Sequence, residues 1–516
     1  METRETAAQL DVKPYWLDSS PMPRFRSLER DLDVDVGIIG GGITGLTAAY
    51  LLKRAGKKVA VIDRDRLGGV DTGHTTAHVT CVTDRDLTGL VNDFGRDHAQ
   101  AVWDAGLAAI AEIDTIVEYE SIDCHWAWVP GYKFAALNGD DRKEAERLQK
   151  EALIATELGF EVAFVESVPF FKRPGIEVAG QGRFHPRKYL AALGTLVDGD
   201  GSHVHEHTES EEIVDDPLSI RANGHTITCD YVIVATHTPL MGKTNILSAT
   251  LFQSKLFLYS SYVIGGRVAR GTVPDALFWD TADPYHYLRL DRQRDHDFII
   301  FGGQDHKTGQ AEDTESCYAA LERAAKQVIP GLDITHRWSG QVIETADGLP
   351  FIGETSSQQF VATGYAGNGM TFGTVAAMMA RDAVLGRRNP WVDLFDPSRK
   401  KLLAAAWDYV KENVDYPYYL IKDRLTGPDG KSLRELRRGE GKVLELKGER
   451  VAAWRSPAGT VTMLSPVCTH MGCEVEWNEA ESTWDCPCHG SRFKPTGGVL
   501  AGPAEAPLEK IPRRER

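Results

Sequence analysis

Residues 34–63 read VDVGIIGGGITGLTAAYLLKRAGKKVAVID, and the period of the apolar positions changes twice within them. VDVGII is a short apolar run of strand length. LTAAYLLKRAG carries its apolar residues at helical spacing and ends on Gly56, and KVAVID is a second short apolar run. Strand, helix and strand in this order predict a βαβ unit. A related pattern recurs at 360–376, FVATGYAGNGMTFGTVA: a strand, a glycine-rich turn and a helix starting at about Met370. DPYHYLRL (283–290) predicts another strand, and SHVHEHT (202–208) a polar one. Pro390 and Pro397 break the helix before them, and SRKKLLAAAWDYVKENV (398–414) resumes helical spacing with Ser398 as N-cap. That segment predicts a packed helical connector and a fixed arrangement of what it joins, unlike a Gly/Ser linker.

The first unit carries Gly40-x-Gly42-x-x-Gly45 between its strand and helix, the context in which this spacing means dinucleotide binding. Gly40 permits the tight turn, Gly42 lets a pyrophosphate approach the backbone, and Gly45 lets helix and strand pack closely. Phosphates then sit on the helix N-terminus, and Asp63 at the end of the second strand is placed to accept from a ribose hydroxyl. The unit does not by itself distinguish FAD from NAD; the helix at about Met370 aims a second positive end at the bound group, which near a flavin's pyrimidine edge would stabilise the negative charge that appears on reduction.

GGGITG, GGVDTGHTTAHVT (68–80), DYVIVATHTP (230–239), ETADGLPFIG (344–353) and GYAGNGMTFG (364–373) follow one another along the chain. Together they resemble the D-amino-acid-oxidase-like (glycine/sarcosine oxidase-like) FAD-dependent oxidoreductases, over roughly residues 30–390. The resemblance implies FAD in a discontinuous Rossmann-like domain with an antiparallel substrate domain inserted between its pieces. It marks Gly40, Gly42, Gly45, Asp63, Thr75, Thr76, Gly364, Gly369, Met370 and Thr371 as FAD contacts. Related enzymes also use a histidine near His74 for covalent flavin attachment, although a ring or phosphate contact is the preferred reading of His74 and His78.

The far end has its own pattern. Cys468-x-His470 and Cys486-x-x-His489, fifteen residues apart, form the two-loop ligand set of a Rieske [2Fe–2S] centre. Two thiolates hold one iron and two imidazoles the other, which raises the potential to roughly −150 to +300 mV, against about −400 mV for plant-type ferredoxins. Cys2His2 is also a zinc set, but these spacings fit a zinc finger poorly and leave two cysteines unexplained. The segment 430–512 resembles the bc-type Rieske domains, which implies a disulfide between Cys473 and Cys488, a serine (Ser491) donating to cluster sulfur, and a proline loop at Gly502-Pro503. Phe493 departs from the tyrosine of the high-potential members, so a potential below theirs is expected.

Composition narrows the partners. A net charge of −16 and a pI of about 5.5 disfavour nucleic acid and anionic membrane surfaces. The uncharged run at 36–52 is short for a membrane span and is accounted for by the βαβ unit. No signal peptide is expected in the first 30 residues, and a cytoplasmic protein without a membrane span is anticipated. Cys81, Cys124, Cys229 and Cys317 are isolated and expected to be buried thiols.

The expected architecture is α/β plus β. It comprises an extension at 1–30, an oxidoreductase unit at 31–390 (insert at roughly 100–170 and 250–340), a helical connector at 391–425 and an all-β Rieske domain at 426–516. For the chemistry, family resemblance points to Arg289 and Tyr287 as holders of a substrate carboxylate, for which the guanidinium fork is suited. His237 and Glu344 are further candidates, and His203, His205 and His207 are read as a polar strand in preference to a metal site. The expected function is a flavin-dependent dehydrogenase that oxidises a small amine or amino acid and passes electrons through the cluster to an external acceptor. The alternative is a flavin/Rieske electron-transfer module serving a partner protein, with no organic substrate of its own. A mononuclear-iron oxygenase is disfavoured because no 2-His-1-carboxylate motif is evident, and NAD(P)H because no second dinucleotide fingerprint is evident.

Overall fold

A computed structural model describes residues 13–238, 255–311, 313–399 and 427–512. The nucleotide-binding layer is built on β1 (Leu32–Ile39), β2 (Val59–Ile62), β3 (His203–His205), β4 (His225–Val234), β5 (Phe351–Ser356) and β6 (Gln359–Thr363), in the order β5-β6-β4-β1-β2-β3. All neighbours are parallel except the β5–β6 pair. VAVI of β2 is buried at every position, as expected for a strand covered on both faces. A hairpin of Ser210–Asp215 and Leu218–Ala222 extends β4, giving eight strands in all. The three histidines fall where a polar strand was expected: His203 and His205 lie on the edge strand β3, and His207 follows it at φ 50°.

Helix α1 (Ile43–Arg54) follows β1 at once, and the turn is made of glycines because nothing larger fits. A Cβ on Gly40 would lie 2.3 Å from Ala235 O, and one on Gly45 would lie 1.9 Å from Gly40 O. Helix α2 (Gly369–Val384) follows β6 and crosses α1 at Gly373, where an added Cβ would come within 2.8 Å of Ile43 and 2.9 Å of Thr44. Two helix N-termini are thereby brought side by side.

The second sheet has nine strands and is mainly antiparallel. Its boundaries differ from the expected insert. Strand Gly175–Arg183 and the short strand His78–Val79 belong to it, whereas helix Arg96–Tyr119 packs into the core of the nucleotide-binding side. Periodicity could not assign these elements to a layer, because a buried helix presents the same apolar face to either. The N-terminal segment also differs from a mere extension. Trp16 is fully buried and donates from Nε1 to Thr75 O at 2.6 Å.

Residues 441–501 form a three-stranded and a four-stranded antiparallel sheet. Buried Trp484, Phe493, Val475 and Leu464 fill the core beneath both cluster loops. Of the connector, Val392–Phe395 is a short helix; the helix expected over 398–414 lies, from residue 400 on, outside the described residues. No described helix is long and apolar enough to cross a membrane.

Candidate active site and cluster loops

A cavity of about 880 Å³ runs between the two sheets and the C-terminal domain. At one pole it is lined by Gly40, Gly42 and Asp63. Asp63 accepts from Gly41 N at 2.8 Å through one oxygen and from Asp65 N at 2.9 Å through the other. Burial pushes its carboxyl up, and those two backbone donors oppose the shift. Neither α1 nor α2 has an acidic residue in its first turn, so both N-termini leave a positive potential over the cavity. A glycine cradle, a facing carboxylate and paired helix N-termini fit a dinucleotide with a flavin.

Thr75, Thr76, Gly369 and Met370 line the same cavity. Three other expected contacts do not. Gly45 is spent on the helix–turn contact, and Gly364 faces Thr345, 2.5 Å from a would-be Cβ. Thr371 is buried, donating to Thr80 O at 2.8 Å and accepting from Thr80 N at 3.2 Å, so it ties α2 to the 68–80 segment. His74 and His78 both line the cavity. Burial, with Arg289 adding to it, pushes His78 down to about 3, so its ring is neutral.

The substrate-holding role expected of Arg289 is not supported. It is fully buried outside the cavity lining, donates to Ala77 O at 2.6 Å and Phe184 O at 3.1 Å, and lies over the Trp16 ring. Residue 289 lies two positions along its strand from Tyr287, and the 75–79 segment folds over it, so it braces that segment from behind. Tyr287, His237 and Glu344 do line the cavity. The contacts of His237 are on the dinucleotide side, with Asp71 at 3.6 Å and Thr363.

The cavity also has an acidic pole, made by Asp84 and Asp305, neither of them among the candidate residues above; Asp84 lies beside the turn that opens α2, 3.0 Å from a would-be Cβ of Gly367. Tyr285 donates to Asp84 at 3.2 Å. Ser261 donates to Asp305 at 2.5 Å, and its single proton being so used, Tyr287 donates to Ser261 at 2.6 Å. Asp84 is open to the cavity; enclosure by the cavity walls and then the charge of Asp305 push it up to about 7, and burial pushes Asp305 up to about 6. The nearby cations are already matched. Lys133 meets both oxygens of buried Glu151 at 2.9 Å, and Arg147 meets Asp86 at 3.1 Å. Trp279, Tyr285 and Tyr287 wall this end.

The two cluster loops are matching turns. Cys468 N donates to Cys473 O and Gly472 N to Cys468 O; Cys486 N donates to Ser491 O and Gly490 N to Cys486 O. Cys468 and Cys486 are buried and within hydrogen-bonding reach of each other, and the rings of His470 and His489 stand 5.0 Å apart at 89°. Cys473 and Cys488 are joined in a disulfide linking the loops. Their sulfurs lie within 4.8 Å of Cys486 Sγ but, being bonded to each other, are not free to ligate. Ser491 is fully buried and its oxygen accepts from Ala504 N at 3.0 Å, which leaves the hydroxyl proton for Cys468. Two thiols and two imidazoles facing one another from tied loops fit a [2Fe–2S] cluster.

The C-terminal domain forms part of the cavity wall through residues 500–507. Arg64 donates to Leu500 O at 2.7 Å, and Gln310 and Gln341 donate to Pro487 O at 3.1 Å and Gly490 O at 2.8 Å. Buried Arg492 pairs with Glu481 and with Asp485 (3.1 Å) and reaches Ser339 of the second sheet at 3.4 Å. A Cβ on Gly309 would sit 2.7 Å from Cys486 C.

Residues 35–383 match the family model described as FAD dependent oxidoreductase, and 431–512 the one described as Rieske [2Fe-2S] domain. The chain belongs to the FAD-dependent oxidoreductase family. Fused to a Rieske domain, this oxidoreductase has FAD and a [2Fe–2S] cluster as its cofactors. It is 34% identical over 504 residues to YhfW of Bacillus subtilis, named as a Rieske 2Fe-2S iron-sulfur protein, covering 96% of this chain and 97% of that one. It is 24% identical to the gamma-glutamylputrescine oxidoreductase of Escherichia coli, covering 72% of this chain and 88% of that one. Its oxidoreductase fold is that of glycine oxidase from Geobacillus kaustophilus, with a TM-score of 0.60 at 18% identity over 72% of this chain and 99% of that one.

Asp84 lies in CVTDRD, where an acid looks like any solvated turn residue; Asp305 lies in FGGQDHKTG (301–309), the run that follows the DPYHYLRL strand in the stretch best suited to substrate chemistry, but no spacing marks the acid itself. Only their convergence, from positions more than two hundred residues apart, makes this oxidoreductase's acidic pole.

Proposed function

We propose that the protein is a flavin-dependent dehydrogenase that oxidises a small amine or amino-acid-like substrate and passes the electrons from FAD through the Rieske cluster to an external acceptor, in the cytoplasm. The observation that carries the proposal is the shared cavity: the dinucleotide cradle, an acidic pole and the Rieske domain all line one space. The pole favours a cationic head group over a free carboxylate. Asp84 and Asp305 both face it, while Lys133 and Arg147 are matched by acids of their own and Arg289 lies elsewhere. The similarity to gamma-glutamylputrescine oxidoreductase supports the amine reading.

When bound, FAD supplies a two-electron oxidant. The chain's part is to bind and to move a proton. Asp84 and Asp305 attract the ammonium, and one of them takes its proton. Taking that proton frees the nitrogen lone pair, which the amine needs in order to give up its α-hydrogen as hydride to the oxidant that bound FAD would supply. A carboxyl poised near neutral pH is matched to that proton transfer. Tyr285 and the Tyr287–Ser261 pair hold the two carboxylates in place.

The test is anaerobic titration of purified protein with amines, amino acids and NAD(P)H, followed by absorption and EPR. Bleaching of the flavin by an amine, followed by the EPR signal of the reduced cluster, is the expected result. Bleaching by NAD(P)H alone would replace the proposal with the electron-transfer module.

A further inference from the structure

We infer that Gln341 is the positioning residue that couples the FAD cavity to the iron–sulfur cluster. The inference rests on the relay reading above and names the side chain through which that relay would run.

Gln341 sits on the strand Asp333–Thr345, 8% exposed, and lines the cavity. Its Nε2 donates to Gly490 O at 2.8 Å and stands 3.4 Å from Thr308 Oγ1. Gly490 joins His489 to Ser491, the first an imidazole of the cluster set and the second the hydroxyl aimed at Cys468. One hydrogen bond thus leads from the cavity wall to the peptide next to a cluster ligand. The amide orientation is fixed by chemistry, since a carbonyl only accepts and Nε2 must face it.

The other end of the amide is informative. Gln341 Oε1 is buried with no hydrogen-bond partner among the described residues. A buried acceptor without a donor is destabilising, and a donor on a group bound in the cavity would relieve it. The contact also depends on close approach of the two domains. Gly490 has φ +72°, and a Cβ there would lie 2.6 Å from Leu258 Cβ.

Gln310 provides the contrast. It donates to Pro487 O at 3.1 Å, on the same cluster loop, but does not line the cavity. Removing it therefore loses a comparable interdomain hydrogen bond without touching the route.

The experiment uses the holoprotein and needs no substrate. FAD is reduced photochemically under anaerobic conditions, and cluster reduction is followed by absorbance and EPR in wild type, Gln341→Leu and Gln310→Leu. FAD and iron contents are measured in each. Gln341→Leu is expected to slow cluster reduction about tenfold, the change that roughly 1.4 kcal/mol represents, with both cofactors retained. Gln310→Leu is expected to match wild type. A second readout is the EPR spectrum of the dithionite-reduced cluster in the same holoprotein, which is expected to shift in Gln341→Leu and not in Gln310→Leu. Equal rates in wild type and Gln341→Leu, or an equal fall in both variants, overturn the inference. A wild-type flavin that never reduces the cluster sinks the relay itself, which separates the two failures.

Discussion

Replacing Gly309 with alanine tests the docking of the two redox units with a single methyl group. The added Cβ would lie 2.7 Å from Cys486 C, 2.8 Å from Pro487 N and 2.9 Å from Cys486 O, all backbone atoms of the second cluster loop. Backbone cannot rotate away as a side-chain tip can, so the loop must move. Gly309 also has φ +80°, which costs an L-residue about 1–2 kcal/mol wherever it occurs. Gly331 isolates that cost, having φ +71° and nothing within 4 Å of its would-be Cβ. Overpacking adds roughly 1–3 kcal/mol, so Gly309→Ala should exceed Gly331→Ala by that amount. In population terms this is roughly five- to 150-fold less of the closely docked state. Two assays read it: chemical denaturation followed by the visible bands of the cluster, and the rate of cluster reduction by photoreduced FAD at equal iron content. If the two alanine variants match in stability and in rate, the contact at Gly309 does not hold the domains, and the docking argument fails.

Asp305→Asn should raise KM for a cationic amine by roughly 10- to 150-fold, the scale of about 1.5–3 kcal/mol for a hydrogen bond to a charged group, with steady-state kinetics as the measure. With Asp84 near 7 and Asp305 near 6, both carboxyls lose their charge as pH falls, so kcat/KM for such a substrate should drop from pH 7.5 to pH 5; the pH profile of Asp84→Asn should lose its upper step. Phe493 is fully buried beside the cluster loops, and Phe493→Tyr should raise the cluster potential by adding a donor, as followed by redox titration with EPR. Arg492→Met would leave buried Asp485 and partly buried Glu481 without their shared cation and should cost roughly 3–5 kcal/mol in denaturation.

Much of the cofactor chemistry was legible because it depends on residues close together in the chain. The GxGxxG turn and the two cluster loops are local structures whose geometry follows from a few residues at fixed spacing. Cys473 and Cys488 sit inside those loops, and the pairing implied by resemblance is the one in the structure. Local pattern also overreached. Thr371 and Gly364 lie in a motif that approaches the cavity without lining it themselves, and Cys317 is only half-buried, unlike the other isolated cysteines.

By itself, then, the sequence determined the two cofactor-binding modules and their order. Tertiary structure alone decided where the modules meet and what the acidic pole of the cavity is made of. Asp84 and Asp305 are brought together by the second sheet, Arg289 is turned into the core by the segment that covers it, and Gln341 finds Gly490 only once the domains close. Local steric and hydrogen-bonding rules act within a turn or two, so they leave a trace in the sequence. The pairing of side chains 150 or 220 positions apart depends on how whole sheets pack, and no period or spacing records it.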